Sequence, residues 1–299
     1  MRYSVVIPTV GRPNLDRLLD SLAEGDGPEP HEVIVVDDRV TRLGPAAARN
    51  TGWRAASGDW VAFVDDDVVL ASDWKARLCA DLADLPADVG ASQARIVVPL
   101  PGGRLPTDAE RGTAGLASAH WITADMAYRR EALARAGGFD ERFPRAYRED
   151  AELALRVQEL GYRIVRGSRV TTHPVKPATF LTSVRDQRGN ADDALLRRLA
   201  GPRWRSRIGG ASGRLRSHAL TTAAGLLAVL CGALGLRLCA RACAAVWGGR
   251  TALFAAERIA PGPKTVDEIA RMVVTSALIP PVACWHRLRG ELRHRRVRP

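Results

Sequence analysis

Acidic residues are nearly missing from the last third of this 299-residue chain: residues 200 to 299 hold 17 Lys and Arg against 4 Asp and Glu. The remainder is close to balanced, at 27 basic against 29 acidic, so the formal charge of +11 is an excess confined to one end. No RNA- or DNA-binding motif accompanies it. A basic end beside apolar segments points to an anionic membrane surface rather than to a polynucleotide groove. Cysteine is also scarce. Cys79, Cys231, Cys239, Cys243 and Cys284 form no Cys-x-x-Cys pair, and four lie in apolar stretches where the thiol packs as a small hydrophobe, which excludes a disulfide scaffold and implies a reducing setting. The N-terminus lacks the basic and apolar regions of a secretory signal and opens on strand-like Tyr3-Ser4-Val5-Val6-Ile7, so the N-terminal part is expected inside the cell. At 46% hydrophobic residues the chain is not disordered and can bury a large domain with an appendage.

What is present alternates. Short apolar runs at 3 to 7, 32 to 36 and 60 to 64 are separated by amphipathic helical patterns, the form of an α/β sheet with helices on its faces. Pro13 and Asn14 start a helix carrying Leu15, Leu18, Leu19 and Leu22 on one side; residues 45 to 57 form a second; Ser72 is expected to cap a third bearing Trp74, Leu78, Leu82 and Leu85. In such sheets ligands sit beyond the carboxyl ends of the strands. One rim should therefore hold Pro8, Thr9, Gly11 and Arg12 after the first strand, Asp37 and Asp38 after the second, and Asp65, Asp66 and Asp67 after the third. Three adjacent carboxylates repel one another and are tolerated where solvent or a hard cation neutralises them. On the triplet alone, a metal site and a solvated acidic turn are equal readings.

The ordered segments VVIPTVGRP, VIVVDD, AARNTGWRAASGDWVAFVDDD, GGFDERFP and REDAELALRVQELGY shift that balance. Over residues 1 to 180 the chain resembles the family 2 glycosyltransferases. The resemblance implies a GT-A type, Rossmann-like nucleotide-binding mixed sheet flanked by helices, and transfer of a sugar from a nucleotide donor to an acceptor hydroxyl with inversion. It implies that Thr9 and Asp38 contact the donor base or ribose with Asp37 supporting the loop, that Arg49 lies on the nucleotide side, and that Asp66 lies with the donor-binding acids. Asp67 is implied as the direct ligand of Mg²⁺ or Mn²⁺, with Asp65 as second ligand and His173 completing the site. Asp38 is followed by Arg39 and Val40, where members commonly continue with Ser and Asp, and this leaves the base open.

The chemistry needs these residue types. Charge grows on phosphate oxygens as the anomeric bond breaks, and a carboxylate-held cation stabilises it. A separate carboxylate must take the acceptor's proton. Acids opening a helix at Arg148-Glu149-Asp150 would by composition alone complement the macrodipole; the resemblance makes Asp150 the general base, with Glu149 orienting the acceptor and Arg148 beside them. Residues 121 to 143 resemble the acceptor-side segment: Trp121 either stacks on the acceptor or packs in the core, Asp125 is acceptor-side with an open role, and Arg129 and Arg130 either reach phosphate or solvate a helix start.

Beyond residue 180 the resemblance thins. Residues 182 to 200 read as a helix, and Trp204 among arginines at 201 to 207 fits a membrane interface or a solvated linker. Residues 219 to 236 are uncharged and at the lower length limit for spanning; they read as half of a helical hairpin on the membrane, with a spanning helix or a soluble bundle as alternatives. Thr265 to Glu268 has capping-box form, and Pro280-Pro281 is expected to break the helix that follows. The expected domains are 1 to 180, catalytic; 181 to 214, a basic connection; and 215 to 299, helical and membrane-associating. The expectation is a metal-dependent transferase with a nucleotide-sugar donor and a lipid-linked or cell-envelope acceptor at the cytoplasmic membrane face. The rivals are a non-catalytic nucleotide-sugar-binding protein that recruits partners to the membrane, and a sugar nucleotidyltransferase.

Overall fold

The computed structural model describes residues 1–210 and 212–297. In chain order the elements are β1 (Tyr3–Thr9), α1 (Asn14–Glu24), β2 (Glu32–Asp37), α2 (Asp38–Thr41), α3 (Pro45–Ala55), β3 (Trp60–Val64), β4 (Val69–Leu70), α4 (Trp74–Leu82), β5 (Val89–Val97), α5 (Asp108–Ala114), β6 (Asp125–Arg129), α6 (Arg130–Ala136), α7 (Glu149–Glu159) and β7 (Arg163–Thr172). They continue with α8 (Thr182–Arg185), α9 (Gly189–Ala200), α10 (Trp204–Arg207), α11 (Leu215–Ala233), α12 (Arg237–Ile259) and α13 (Val266–Arg293). Two compact units result. One comprises residues 1–99, 114–175 and 206–209; the rest of the described chain forms the other.

The first unit is built on a seven-stranded mixed sheet of order β2-β1-β3-β6-β5-β7-β4. β1 pairs parallel with β2 and β3, β6 runs antiparallel between β3 and β5, and β7 pairs parallel with β5. Every residue of β1 and β3 is buried, which explains their largely apolar composition. On one face Leu18 and Leu22 of α1 and Trp74, Leu78 and Leu82 of α4 close the core over Val5, Ile7, Ala62 and Val64. The residue before α4 is Asp73 rather than the expected Ser72, and its side chain makes no capping bond. α3 lies against β1 because Gly52 has no Cβ: one would stand 2.3 Å from Val6 Cγ1. α3 also grips the loop that leads to α7. Asn50 Nδ2 donates to the Phe139 carbonyl at 2.9 Å while its Oδ1 accepts from the Phe139 N–H at 2.8 Å and from Trp53 Nε1 at 2.9 Å. Gly138, at φ 76°, passes so close that a Cβ would meet Asn50 Oδ1 at 2.5 Å.

The second unit is helical. Thr265 caps α13 as expected, but Pro280 and Pro281 do not end it: the helix runs from Val266 to Arg293. Tertiary packing overrides the two missing N–H donors, since Ile279, Pro280 and Ala283 are buried among the other helices. Residues 182 to 200, expected as one helix, are split into α8, a 3₁₀ turn and α9. Trp204 is buried under the Arg205 guanidinium, 4.3 Å from its ring centre, so it is packed in the protein and not presented at an interface.

α11 and α12 form a hairpin in which several polar side chains are bonded within the pair, while the buried Thr251 hydroxyl is left without a partner among the described residues. Thr221 and Thr222 donate back to the carbonyls of Ser217 and His218 at 3.0 and 2.8 Å, and Arg250 of α12 reaches Thr221 Oγ1 at 3.1 Å and Ser217 Oγ at 2.9 Å. At the turn Gly235 takes φ 74°, which lets the Leu236 N–H return to the Cys231 carbonyl at 2.8 Å. The hairpin's outside is apolar: Leu220, Leu226, Leu227, Val229, Leu230 and Leu234 are all exposed. α11 and α13 are each long and apolar enough to cross a membrane.

Candidate active site

The tips of β1, β2 and β3 come together as the sequence implied, because Thr9 pairs with Asp37 and the three strands run in parallel. Thr9 Oγ1 donates to Asp66 Oδ2 at 2.6 Å and accepts from the Gly11 N–H at 2.9 Å, which folds the loop after β1 onto the acidic tip of β3. Arg12 follows it there, with Nη1 2.9 Å from Asp66 Oδ1 and 2.7 Å from Asp67 Oδ2. Pro8 is buried within β1 and serves to bring Thr9 to the rim.

Beside this tip a cleft of about 530 Å³ is lined by Val10, Asp38, Arg39, Arg42, Gly44, Pro45 and Pro144. Asp38 lines it but spends both carboxylate oxygens on its own loop. Oδ1 accepts from Thr41 Oγ1 at 2.6 Å and the Leu43 N–H at 2.9 Å, and Oδ2 from the Gly44 N–H at 3.0 Å. Asp37 caps α2 and pairs with Arg39 at 2.6 Å, and this pair is exposed. The remaining polar side of the cleft is therefore that of Arg39, held by Asp37, and Arg42; of the two, the sequence singled out only Arg39, as a departure from the family pattern.

The three expected ligands do not all converge. Among the described residues no group of three His, Cys, Asp or Glu side chains is arranged to hold a metal ion. Asp65, expected as second ligand, turns away: its Oδ1 accepts from Arg49 Nη2 at 2.8 Å. Asp67 and His173 do meet, with Nε2 3.6 Å from Oδ1. His173 is delivered by the end of β7, where its N–H bonds the Val97 carbonyl at 2.8 Å, and its Nδ1 lies 2.9 Å from the Pro174 carbonyl. A carbonyl only accepts, so Nδ1 carries a proton and Nε2 is the nitrogen that faces the carboxylate oxygen. The buried Asp67 Oδ1 and the imidazole nitrogen beside it are ligand types that suit a divalent cation, and an imidazole with a carboxylate suits Mn²⁺ better than Mg²⁺.

Arg49, expected on the nucleotide side, is 2% exposed and cannot reach a nucleotide. It is a strut. Nη2 holds Asp65, and Nη1 holds Glu149 Oε1 at 2.7 Å, so one guanidinium ties the tip of β3 to the start of α7. Glu149 Oε2 and the Tyr128 hydroxyl are buried without hydrogen-bond partners. Burial pushes the Glu149 carboxyl above the usual range, aided by Asp150 and opposed by Arg49. Burial also raises Asp150, against the Ala151 N–H that donates to its Oδ1 at 2.7 Å. Arg148 precedes the pair at φ 81°, a conformation that costs a non-glycine residue about 1–3 kcal/mol. Tyr128, under this dyad, carries no sequence signal that separates it from a core tyrosine.

The acceptor-side expectations divide. Trp121 is buried at φ 61° and its N–H is bound by Gln93 Oε1, so the core reading holds and the stacking reading does not. Asp125 is fully buried: it accepts from Trp74 Nε1 and Thr171 Oγ1 and pairs with Arg169 Nε at 2.9 Å, while Arg169 also holds Asp81 at 3.1 Å. It fastens β6 to β7 and faces no acceptor. Arg129 pairs with Trp60 at the far end of β3, stacking on its ring at 4.6 Å and donating to the carbonyls of Leu85, Pro86 and Val89; Arg130 next to it is exposed. Neither is at the rim.

Residues 39–134 match the family described as Glycosyl transferase family 2. Over 96% of this chain and 87% of the other, the fold is similar to that of the mannosyltransferase PcManGT from Pyrobaculum calidifontis, solved in complex with GDP-Man and Mn²⁺, at 22% identity and a TM-score of 0.58. Weaker likenesses are to TarS from S. aureus in complex with UDP, at 16% identity over 96% of this chain and 92% of that one with a TM-score of 0.45. Glucosyl-3-phosphoglycerate synthase from Mycobacterium tuberculosis, with Mn²⁺, UDP-Glc and phosphoglyceric acid, follows at 19% identity over 71% and 81% with a TM-score of 0.43. No curated protein matches in sequence.

Proposed function

We propose that this chain, a glycosyltransferase carrying a family 2 domain on a GT-A type sheet, is an inverting, divalent-metal-dependent enzyme that moves a sugar from a nucleotide-sugar to a lipid-linked or cell-envelope glycan hydroxyl at the cytoplasmic membrane face. The observation that carries the reading is the pairing of two separate acidic groups through Arg49: Asp65 to Asp67 at the tip of β3, and Glu149 with Asp150 at the start of α7. The cleft under Val10 and Arg42 takes the nucleoside, with Arg39 and Arg42 as its donors. Asp67 and His173 hold the cation. When bound, that ion acts as a Lewis acid toward the leaving diphosphate. Arg12 lies where it can share the diphosphate charge. Asp150 accepts the acceptor's proton, burial raising its pKa and so its basicity as a carboxylate, and Glu149 orients the acceptor. The GDP-Man and Mn²⁺ carried by the P. calidifontis enzyme on a similar sheet support a nucleotide-sugar donor and Mn²⁺ here.

The membrane assignment is supported by α11. At 100° per residue its exposed Leu and Val side chains spread over about half of the helix circumference, wider than the stripe one partner helix covers. α12 has only eight residues between Arg241 and Arg250, about 12 Å of charge-free helix against the roughly 30 Å of a hydrocarbon core, so the hairpin lies in the interface instead of crossing twice. The test is Asp150→Asn. Release of nucleoside diphosphate should vanish while the nucleotide-sugar still raises the melting temperature in the presence of Mn²⁺; near-normal turnover would remove Asp150 as the base and the reading with it.

A further inference from the structure

In this structure the charge of the β3 tip is balanced from within. Asp67 faces His173 through Oδ1 and is held through Oδ2 by Arg12, whose same nitrogen also binds Asp66. The three side chains differ in freedom. Arg12 is 46% exposed, whereas Asp66 and Asp67 are 4% and 7% exposed. The acids are therefore fixed and the arginine is the partner that can leave. Its loop is already anchored without it, through Thr9 Oγ1 on Asp66 and the Gly11 N–H on Thr9. A divalent ion taken up by Asp67 and His173 would stand on the same carboxylate as this guanidinium, and in a half-buried site like charges so close repel by far more than thermal energy.

We infer that Arg12 is a built-in counter-cation that opposes ion uptake at Asp67 and His173 until a diphosphate arrives. The diphosphate offers anionic oxygens to Arg12 and to the ion together, so it draws the guanidinium off the acid and removes the repulsion. Metal and diphosphate then bind with positive coupling, and the coupling is reciprocal. The inference rests on the donor and metal roles proposed above; it adds that Arg12 weakens the metal site when the donor is absent, the opposite of what a plain donor ligand would do.

Mn²⁺ binding to wild type, Arg12→Gln and Arg12→Lys, each alone and with saturating UDP or GDP, tests it by calorimetry or by the spin-resonance signal of free Mn²⁺. Without nucleotide, Arg12→Gln should bind Mn²⁺ about tenfold more tightly than wild type, and the tightening by nucleotide should shrink from about tenfold or more to a few fold. Arg12→Lys, which keeps the charge, should follow wild type. Equal or weaker Mn²⁺ binding by Arg12→Gln alone, or undiminished coupling, overturns the inference while wild-type Mn²⁺ uptake with nucleotide leaves the proposed function standing. Absence of Mn²⁺ binding to every protein under every condition overturns both.

Discussion

Asp150 and Glu149 are held in a setting that opposes their charge. A carboxyl whose folded pKa is raised above its unfolded value takes up protons more readily in the folded state, so stability is lost as pH climbs from the ordinary carboxylate range through the raised value. At neutral pH the wild-type chain bears that loss. Asp150→Asn should consequently melt at a higher temperature than wild type, the gap widening from pH 4 to pH 8, while turnover disappears; a variant that is both inactive and less stable at pH 8 would contradict this. The same raised pKa puts the acid limb of the wild-type turnover profile above that of an ordinary aspartate. Arg49 gives a second prediction at this scale. Lysine keeps the charge but cannot fork to Asp65 and Glu149 at once. Arg49→Lys should lower kcat about 10- to 100-fold with donor affinity little changed, whereas a nucleotide contact would show as weakened donor binding. Arg49→Met leaves the buried Glu149 and the partly exposed Asp65 without this countercharge and should cost about 3–5 kcal/mol of stability in denaturant titrations.

At the scale of elements, α3 does more than its length suggests. It touches β1 through Gly52 and carries both the Arg49 strut and the Asn50 clamp on Phe139. Gly52→Ala forces a methyl into Val6 and should destabilise by about 1–3 kcal/mol, with reduced turnover because Arg49 shifts along with the helix. The strands β1 and β3 and the tip they share with the edge strand β2 were legible in the sequence, because a run buried on both faces is dominated by apolar residues and its polar exit must face solvent or ligand. What stayed hidden were partners distant in the chain. An Asp at position 125 reads the same whether it faces an acceptor or a buried Arg169, and an Arg at 49 reads the same whether it meets phosphate or Glu149. Pro280-Pro281 misled for the related reason that local propensity yields to packing that the sequence does not display. Once seen, the Arg169 pair explains how His173 finds Asp67. A shift of β7 by one residue would turn Arg169 to the other face of the sheet and strand Asp81 and Asp125 in the core, so the ion pairs hold the imidazole at its level.

At the scale of the molecule, charge and apolar surface lie at the same end of the chain. Of the basic excess, 17 Lys and Arg stand in residues 200 to 299, beside the exposed leucines of α11. The protein should sediment with vesicles containing phosphatidylserine and stay in the supernatant with neutral ones at physiological salt; each basic residue near the surface contributes roughly 1 kcal/mol, a term that added salt screens. Val229→Glu, on the exposed side of α11, should weaken that binding at all salt concentrations, and unaltered sedimentation would exclude the hairpin as the contact. The Thr221 and Thr222 hydroxyls answer to the hairpin's own carbonyls, Arg250 is bonded within it, and its turn closes on itself. Leaving water therefore breaks no bond inside it, and returning to water breaks none either. If the proposed membrane contact holds, the hairpin can enter and leave the bilayer surface without a refolding step, so that residence there would follow the local supply of anionic lipid and change as fast as that supply does.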